Sequence, residues 1–377
     1  MEQKPEKIFF PNLDGLRFLA FFAVLLRHCG DTEFGYIQSN SVYVFVKKWI
    51  FMNGFLGVNF FFVLSGFLIT YLLLNEKFQT GKISIRNFYI RRVLRIWPVY
   101  YLTLLIGFVI VPAIKWYFQN PVLDHYPSAD ANPWYYIFFL GNFHAVYLHS
   151  PHSPVLDRLW SIAAEEQFYL LWPLILSFLP VKKIPYAFGV LLITSAAFRY
   201  THRHDGEIYL FHFLASMSDL VIGSTGAYLV FFNQRFKKYF EELSKTQTAI
   251  IWIITITVLL GYKFLLEFAP VPSVTRMLAG VVFLLVILEQ NYSHNSLFKI
   301  SKLKTISKWG VWSYGQYCYH ALGIYAALFL AAKFQLHTTV FGVLVLTPLL
   351  ALIVTVAISW FSYRFFETPF LKLKNKF

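Results

Sequence analysis

Charge is scarce in this sequence, and so is sulfur. Only 14% of its 377 residues are Asp, Glu, Lys or Arg, too few to clothe a water-exposed surface on a chain of this length, so a soluble globular enzyme is excluded. Two cysteines, Cys29 and Cys318, stand far apart and outside any CxxC spacing. That excludes a disulfide framework and a CxxC metal or redox motif, and leaves both as packing residues. Acids are outnumbered, 19 Asp and Glu against 33 Lys and Arg, for a net charge of +14. The basic residues nevertheless fall in short tracts between apolar runs, not along one stripe or in a nucleic-acid motif, so no nucleic-acid partner is implied. There is no low-complexity linker, soluble extension or repeat of fixed period, and residues 1–377 read as a single transmembrane domain.

What is abundant is apolar: 57% of residues are hydrophobic and 20% aromatic. Spanning-length windows fall near 13–30, 51–74, 98–114, 160–180, 185–201, 208–232, 249–267, 274–290, 311–332 and 339–362, each able to cross a hydrocarbon core of about 30 Å as a helix. The expected fold class is therefore an all-α integral membrane protein with about ten transmembrane helices. The first window carries arginine and ends in "RHCGDTE" without a small-residue cleavage site, so it reads as a retained span, not a signal peptide. A further stretch, "PWYYIFFLGNFHAVYL" at 133–148, is short and interrupted and reads as a re-entrant or interfacial piece. With ten spans, most of the Lys and Arg lie in connections on the side of the amino terminus. The positive-inside rule then makes both termini cytoplasmic in a multi-pass cell-membrane protein, whose basic inner tracts meet membrane lipids.

Several windows hold groups that hydrocarbon excludes. "LDGLRFLAFFAVLLRHCG" (13–30) carries Asp14, Arg17, Arg27 and His28. Residues eleven apart on an α-helix are only about 20° from alignment and about 16 Å apart along the axis, so Arg17 and His28 share a face. Asp14, three residues before Arg17, is placed to pair with it, while Arg27 points elsewhere and snorkels to the outer interface. Asp14, Arg17 and His28 could simply mark the two ends of an ordinary span, but an intramembrane ionisable pair argues for function.

"GVNFFFVLSGFLIT" (57–70) places Asn59 and Ser65 in the second window, and "LWSIAAEEQFYLLWP" (159–173) opens the fourth with Trp160, Glu165, Glu166 and Tyr169. Glu165 and Tyr169 share a face, whereas Glu166 is rotated by about 100°. Acids complementing a helix amino terminus account for one glutamate more easily than for two. In "NFYIRRVLRIWPVYYL" (87–102), Arg91, Arg92 and Arg95 cluster before an apolar run; their guanidinium forks suit phosphates, and they equally suit anionic lipid headgroups.

Together these pieces, with "SYGQYCYHALGIY" and "RFFETPF", resemble in order and spacing the acyltransferase family 3 membrane proteins. The resemblance implies a membrane O-acyltransferase, foremost an O-acetyltransferase, that moves an acyl group from cytoplasmic acetyl-CoA or another acyl-CoA to a hydroxyl of a carbohydrate or glycolipid at the outer side of the membrane, with no metal. It implies His28 as the catalytic base, Arg17 as its partner in the arginine-ten-histidine motif, Glu165 as the catalytic-helix acid that orients His28 or binds the acceptor, and Arg91, Arg92 and Arg95 as the coenzyme A phosphate cluster. Trp160, Tyr169, Asn59 and Ser65 are the expected substrate-binding residues. The chain departs from the family in having Asn59 where Asp is frequent, and no esterase-like domain is expected after the last span. Asp219 and Gly223 in "SDLVIGSTGAYL" resemble the family's seventh-helix pattern. The competing function is a proton-coupled secondary transporter or flippase, for which the paired half-repeats of many transporters are not evident.

Overall fold

The structure, a computed structural model, describes residues 10–118, 130–268 and 272–377. Residues 1–9, expected on the cytoplasmic side, lie outside the described residues. Among the described residues the chain is entirely helical, with no strand. Ten principal helices fall one in each apolar window: α1 (Pro11–His28), α2 (Leu56–Thr80), α3 (Ile85–Leu105), α4 (Trp160–Phe178), α5 (Ile184–Thr201), α6 (Phe213–Phe232), α7 (Lys245–Phe268), α8 (Pro272–Tyr292), α9 (Ser313–Lys333) and α10 (Thr347–Phe361).

Among the described residues, seven runs of helix are long and apolar enough to cross a membrane: those containing α2, α3, α5, α6, α7, α8 and α10. Helices α1, α4 and α9 fall short because each carries polar groups: Asp14, Arg17, Arg27 and His28 in α1; Glu165, Glu166 and Gln167 in α4; Gln316 and His320 in α9. Such groups are tolerated in hydrocarbon only where they face the bundle interior. Consistent with that, His320 and Gln316 are fully buried. The outer faces of α5 and α7 instead expose Val190, Ile193, Ile253 and Ile256.

Local chemistry sets the helix ends. Pro11 starts α1, where a missing N–H costs nothing, with Asp14 in the first turn and Arg27 and His28 in the last, matching the helix dipole at both ends. Gly81, at φ +75°, closes α2 in the left-handed conformation that a side chain resists. The imidazole of His212 accepts the Leu214 amide and so caps α6. The 133–148 stretch forms two short helices, Pro133–Ile137 and Gly141–Tyr147, with Phe139 at φ +55° between them. At their edge, the Asp130 carboxylate accepts the ring and amide N–H of His152 and pairs with His149 at 2.9 Å. Burial works against the charged form there, but the hydrogen bonds from His152 outweigh it and hold the carboxyl at about 2.

Helices α2 and α6 pack closely. A Cβ added at Gly66 would stand 1.8 Å from the Leu220 carbonyl oxygen, and one at Gly223 would stand 1.9 Å from that of Val63. The two backbones are therefore in direct contact, as small residues permit between membrane helices. Thr70 donates to Ser224 at 2.8 Å across this seam, and the Trp172 indole of α4 donates to Thr70 at 2.7 Å.

Candidate active site

Helix α2 divides its faces between this seam and a cavity. On α2 the stripe Val58, Phe61, Phe62, Ser65, Leu68, Ile69 and Leu72 borders a cavity of about 620 Å³, while Asn59, Val63, Gly66 and Thr70 face α6. The cavity is completed by Asp14 and Arg17 of α1, Arg92 and Arg95 of α3, Ser161, Glu165 and Tyr169 of α4, and Tyr314 and Tyr317 of α9. Glu367 and Lys374 border it from the carboxy-terminal segment.

Charge inside the cavity is paired or stacked. Arg17 donates to Asp14 at 2.5 Å, one helical turn away. The Glu165 carboxylate accepts hydrogen bonds from the hydroxyls of Ser65 and of Tyr169, the latter at 2.8 Å. The Arg92 guanidinium lies over the rings of Tyr169 (5.4 Å) and Phe88 (5.5 Å). Arginines so spaced beside an apolar throat suit an anionic ligand with a slender apolar arm.

Not every expected site residue lies here. Arg91, one residue and so about 100° from Arg92, turns away to pair with Glu76 at 3.4 Å and to donate to the Phe377 carbonyl at 2.9 Å. Of the three arginines only Arg92 and Arg95, the i, i+3 pair, border the cavity. Asn59 does not border the cavity either. It lies on the seam face and donates at 3.1 Å to the buried Asp219 carboxylate, which in turn holds Arg276 at 2.9 and 2.7 Å. Trp160 sits outside the cavity lining, its ring engaged by the edges of Phe211 (4.9 Å) and Phe62 (6.1 Å). Glu166, rotated off the Glu165 face, accepts the Trp97 indole N–H at 3.1 Å.

His28 is not part of the cavity lining. Its partners are two residues the sequence reading passed over. The Arg158 guanidinium donates to His28 Nδ1 at 3.1 Å, and the His320 ring lies 5.4 Å from that of His28. Glu165 is hydrogen-bonded to Ser65 and Tyr169 and not to His28. Between the two regions stands Tyr317. Its hydroxyl donates to the Arg158 carbonyl (3.1 Å) and accepts from Ser161 (2.6 Å), which lines the cavity, and its ring lies 5.7 Å from His320. His320 was legible as an ionisable residue inside "SYGQYCYHALGIY", which deserved the same weight as His28. Arg158 sits just before α4 and gave no periodic signal.

The sequence profile of the acyltransferase domain matches residues 10–364. The chain belongs to acyltransferase family 3, a family of acyl-transferring enzymes. It is 30% identical to the peptidoglycan O-acetyltransferase OatA of Listeria monocytogenes, over 96% of this chain and 56% of that protein. It is 32% identical to a putative O-acetyltransferase of Staphylococcus aureus strain COL, over 53% of this chain and 31% of that protein. With the O-acetyltransferase OatA of Staphylococcus aureus strain NCTC 8325 it shares 33% identity, over 45% of this chain and 25% of the relative. The chain thus spans little more than half the length of the longest-matching of these relatives. No solved structure matches it.

Proposed function

We propose that this protein is a membrane O-acetyltransferase that takes acetyl from cytoplasmic acetyl-CoA and delivers it to a hydroxyl of a carbohydrate or glycolipid at the outer side of the membrane. Peptidoglycan, named for the Listeria relative, is the first acceptor to try. The observation that carries this reading is the cavity in which Arg17, Arg92 and Arg95 meet Glu165 and Tyr169, on a helix whose far end presents His28. In this reading α1, α4 and α9 also cross the membrane, making ten spans with both termini cytoplasmic. The coenzyme A phosphates then sit on Arg92 and Arg95, with Arg91 outside the contact, and the pantetheine arm runs past Arg17 toward Tyr317.

His28 stands at the reaction centre. Arg17, held by Asp14, binds a polar group of the arm and neutralises charge along the path. Glu165, with Ser65 and Tyr169, fixes the cavity wall against which Arg92 is held. Trp160 shapes the acceptor side through its packing on Phe62 and Phe211.

The test uses sealed, oriented vesicles containing the purified protein, with acetyl-CoA on one side and soluble peptidoglycan fragments on the other. Acetylated fragments should appear only when acetyl-CoA is supplied at the face that carries Lys182. Transfer only from the opposite face would refute the direction, and absence of both thiol release and acetylation with every carbohydrate acceptor tried would refute the activity.

A further inference from the structure

Hydrogen bonds on the two facing histidines fix which nitrogen of each carries a proton. A guanidinium can only donate, so His28 Nδ1, at 3.1 Å from Arg158 Nη2, is the acceptor, and the proton of the neutral ring sits on Nε2. A backbone carbonyl can only accept, so His320 Nδ1, at 2.6 Å from the Tyr317 oxygen, carries the proton there. His320 Nε2 is then a bare lone pair. It is buried with no hydrogen-bond partner, in a side chain that is fully buried. The two rings are packed as neighbours, with centroids 5.4 Å apart. One ring offers an N–H, and the other offers a base.

Resting on the O-acetyltransferase reading above, we propose that His320 is the residue that takes the acceptor's proton, and that His28 acts as hydrogen-bond donor to the thioester carbonyl, with Arg158 as the positioning residue that holds His28 in its Nε2–H form. The acceptor O–H proton passes to His320 Nε2 as the oxygen attacks the thioester carbonyl carbon. The carbonyl oxygen takes up negative charge against His28 Nε2–H. Collapse re-forms the carbonyl, breaks the C–S bond, and the leaving sulfur of coenzyme A recovers the proton from His320. The imidazolium formed in between is stabilised by its Nδ1–H bond to the Tyr317 carbonyl. This gives an apolar helix a reason to bury an ionisable ring whose second nitrogen touches nothing.

Side-chain amides separate the two roles, because a Gln amide places an N–H near the Nε2 position and an Asn amide places one near Nδ1. His28→Gln keeps the donor and has no ionisable base. His320→Asn keeps the bond to Tyr317 and has no lone-pair nitrogen at Nε2. Both, with His28→Ala, are to be assayed as full-length protein in nanodiscs, with acetyl-CoA and soluble peptidoglycan fragments, for kcat, donor KM and the pH profile. Donor KM, together with a single symmetric peak on size exclusion, reports that each variant is folded.

The expected result is a kcat loss of about 10²- to 10⁴-fold in His320→Asn with donor KM unchanged, and loss of the rising limb of the pH–rate profile in what activity remains. His28→Gln should keep that limb and be at least about tenfold faster than His28→Ala. Arg158→Gln should lower kcat while leaving the limb in place. The proposal is overturned if His320→Asn turns over like wild type while His28→Gln is as inactive as His28→Ala, which would make His28 the base and leave the acyltransfer reading intact. Should both His28→Ala and His320→Asn keep full activity, the assignment of this site to the reaction fails as a whole.

Discussion

Replacing Arg92 by alanine removes a guanidinium that stacks on Tyr169 and Phe88 and lines the cavity, whereas replacing Arg91 removes one already engaged by Glu76 and the Phe377 carbonyl. The two residues are chain neighbours of identical chemistry, so a generic attraction to anionic lipid would treat them alike. A charge-assisted hydrogen bond to phosphate contributes roughly 1.5–3 kcal/mol, which at about 1.4 kcal/mol per decade is a rise of about 10- to 150-fold in donor KM. Arg92→Ala should show that rise with acetyl-CoA, and Arg91→Ala should show less than about threefold, the scale of a rearranged surface ion pair. Steady-state kinetics in nanodiscs of neutral lipid, with acetyl-CoA varied at fixed acceptor, measures both, and neutral lipid removes any contribution from headgroup charge. Equal effects of the two substitutions would refute the assignment of the cavity to the donor, as would a fall in kcat at unchanged KM for Arg92→Ala.

Gly223→Ala should lower thermal stability in detergent by about 1–3 kcal/mol or more, because its methyl group meets the Val63 carbonyl backbone, whereas Gly189→Ala, which meets nothing within 4 Å, should leave the unfolding midpoint unchanged or slightly raised; matching midpoints would contradict the close contact of α2 and α6. Asp219→Asn strands the buried Arg276 charge and should cost about 3–5 kcal/mol, with much of the loss recovered in the Asp219→Asn, Arg276→Gln double variant; simple additivity of the two would show that the pair is not coupled. Because the Asp130 carboxyl is held near 2, below its ordinary 3.8, its link to His152 is at full strength above pH about 4 and is lost as pH falls toward 2. Amide exchange at His152 should accelerate only in that window, and Asp130→Asn should remove the dependence.

The bundle was legible because hydrophobic runs of spanning length have few other uses, and each of the ten windows overlaps a long helix. Faces were harder to read. The i, i+3 and i, i+4 rules placed Asp14 with Arg17 and Glu165 with Tyr169, since both partners lie on one helix. The same spacing pairs Arg91 with Arg95 as readily as Arg92 with Arg95, and the cavity takes the latter pair, because a stripe says which residues share a face but not which neighbour that face meets. Asn59 failed for the same reason: its polarity was visible, and its partner Asp219, 160 residues away on α6, was not. His28 was found from its motif. Arg158 and His320, which define its chemistry, come from separate parts of the chain and converge only in three dimensions.

Tyr317 and Ser161, hydrogen-bonded to each other, stand in the wall of the arginine-lined cavity beside His320. If the proposed transfer crosses the membrane, this hydrogen-bonded pair has an energetic meaning beyond catalysis. A polar passage open at both ends would conduct ions and dissipate the voltage and proton gradient that the membrane maintains, a continuous drain far larger than the turnover of one slow transferase. A hydrogen-bonded hydroxyl pair in the wall at that point would let the thioester reach the histidines while hindering water columns on either side from joining. Variants that shorten Tyr317 should therefore be harmful to the cell in a way that activity assays miss, as leakiness of the membrane itself.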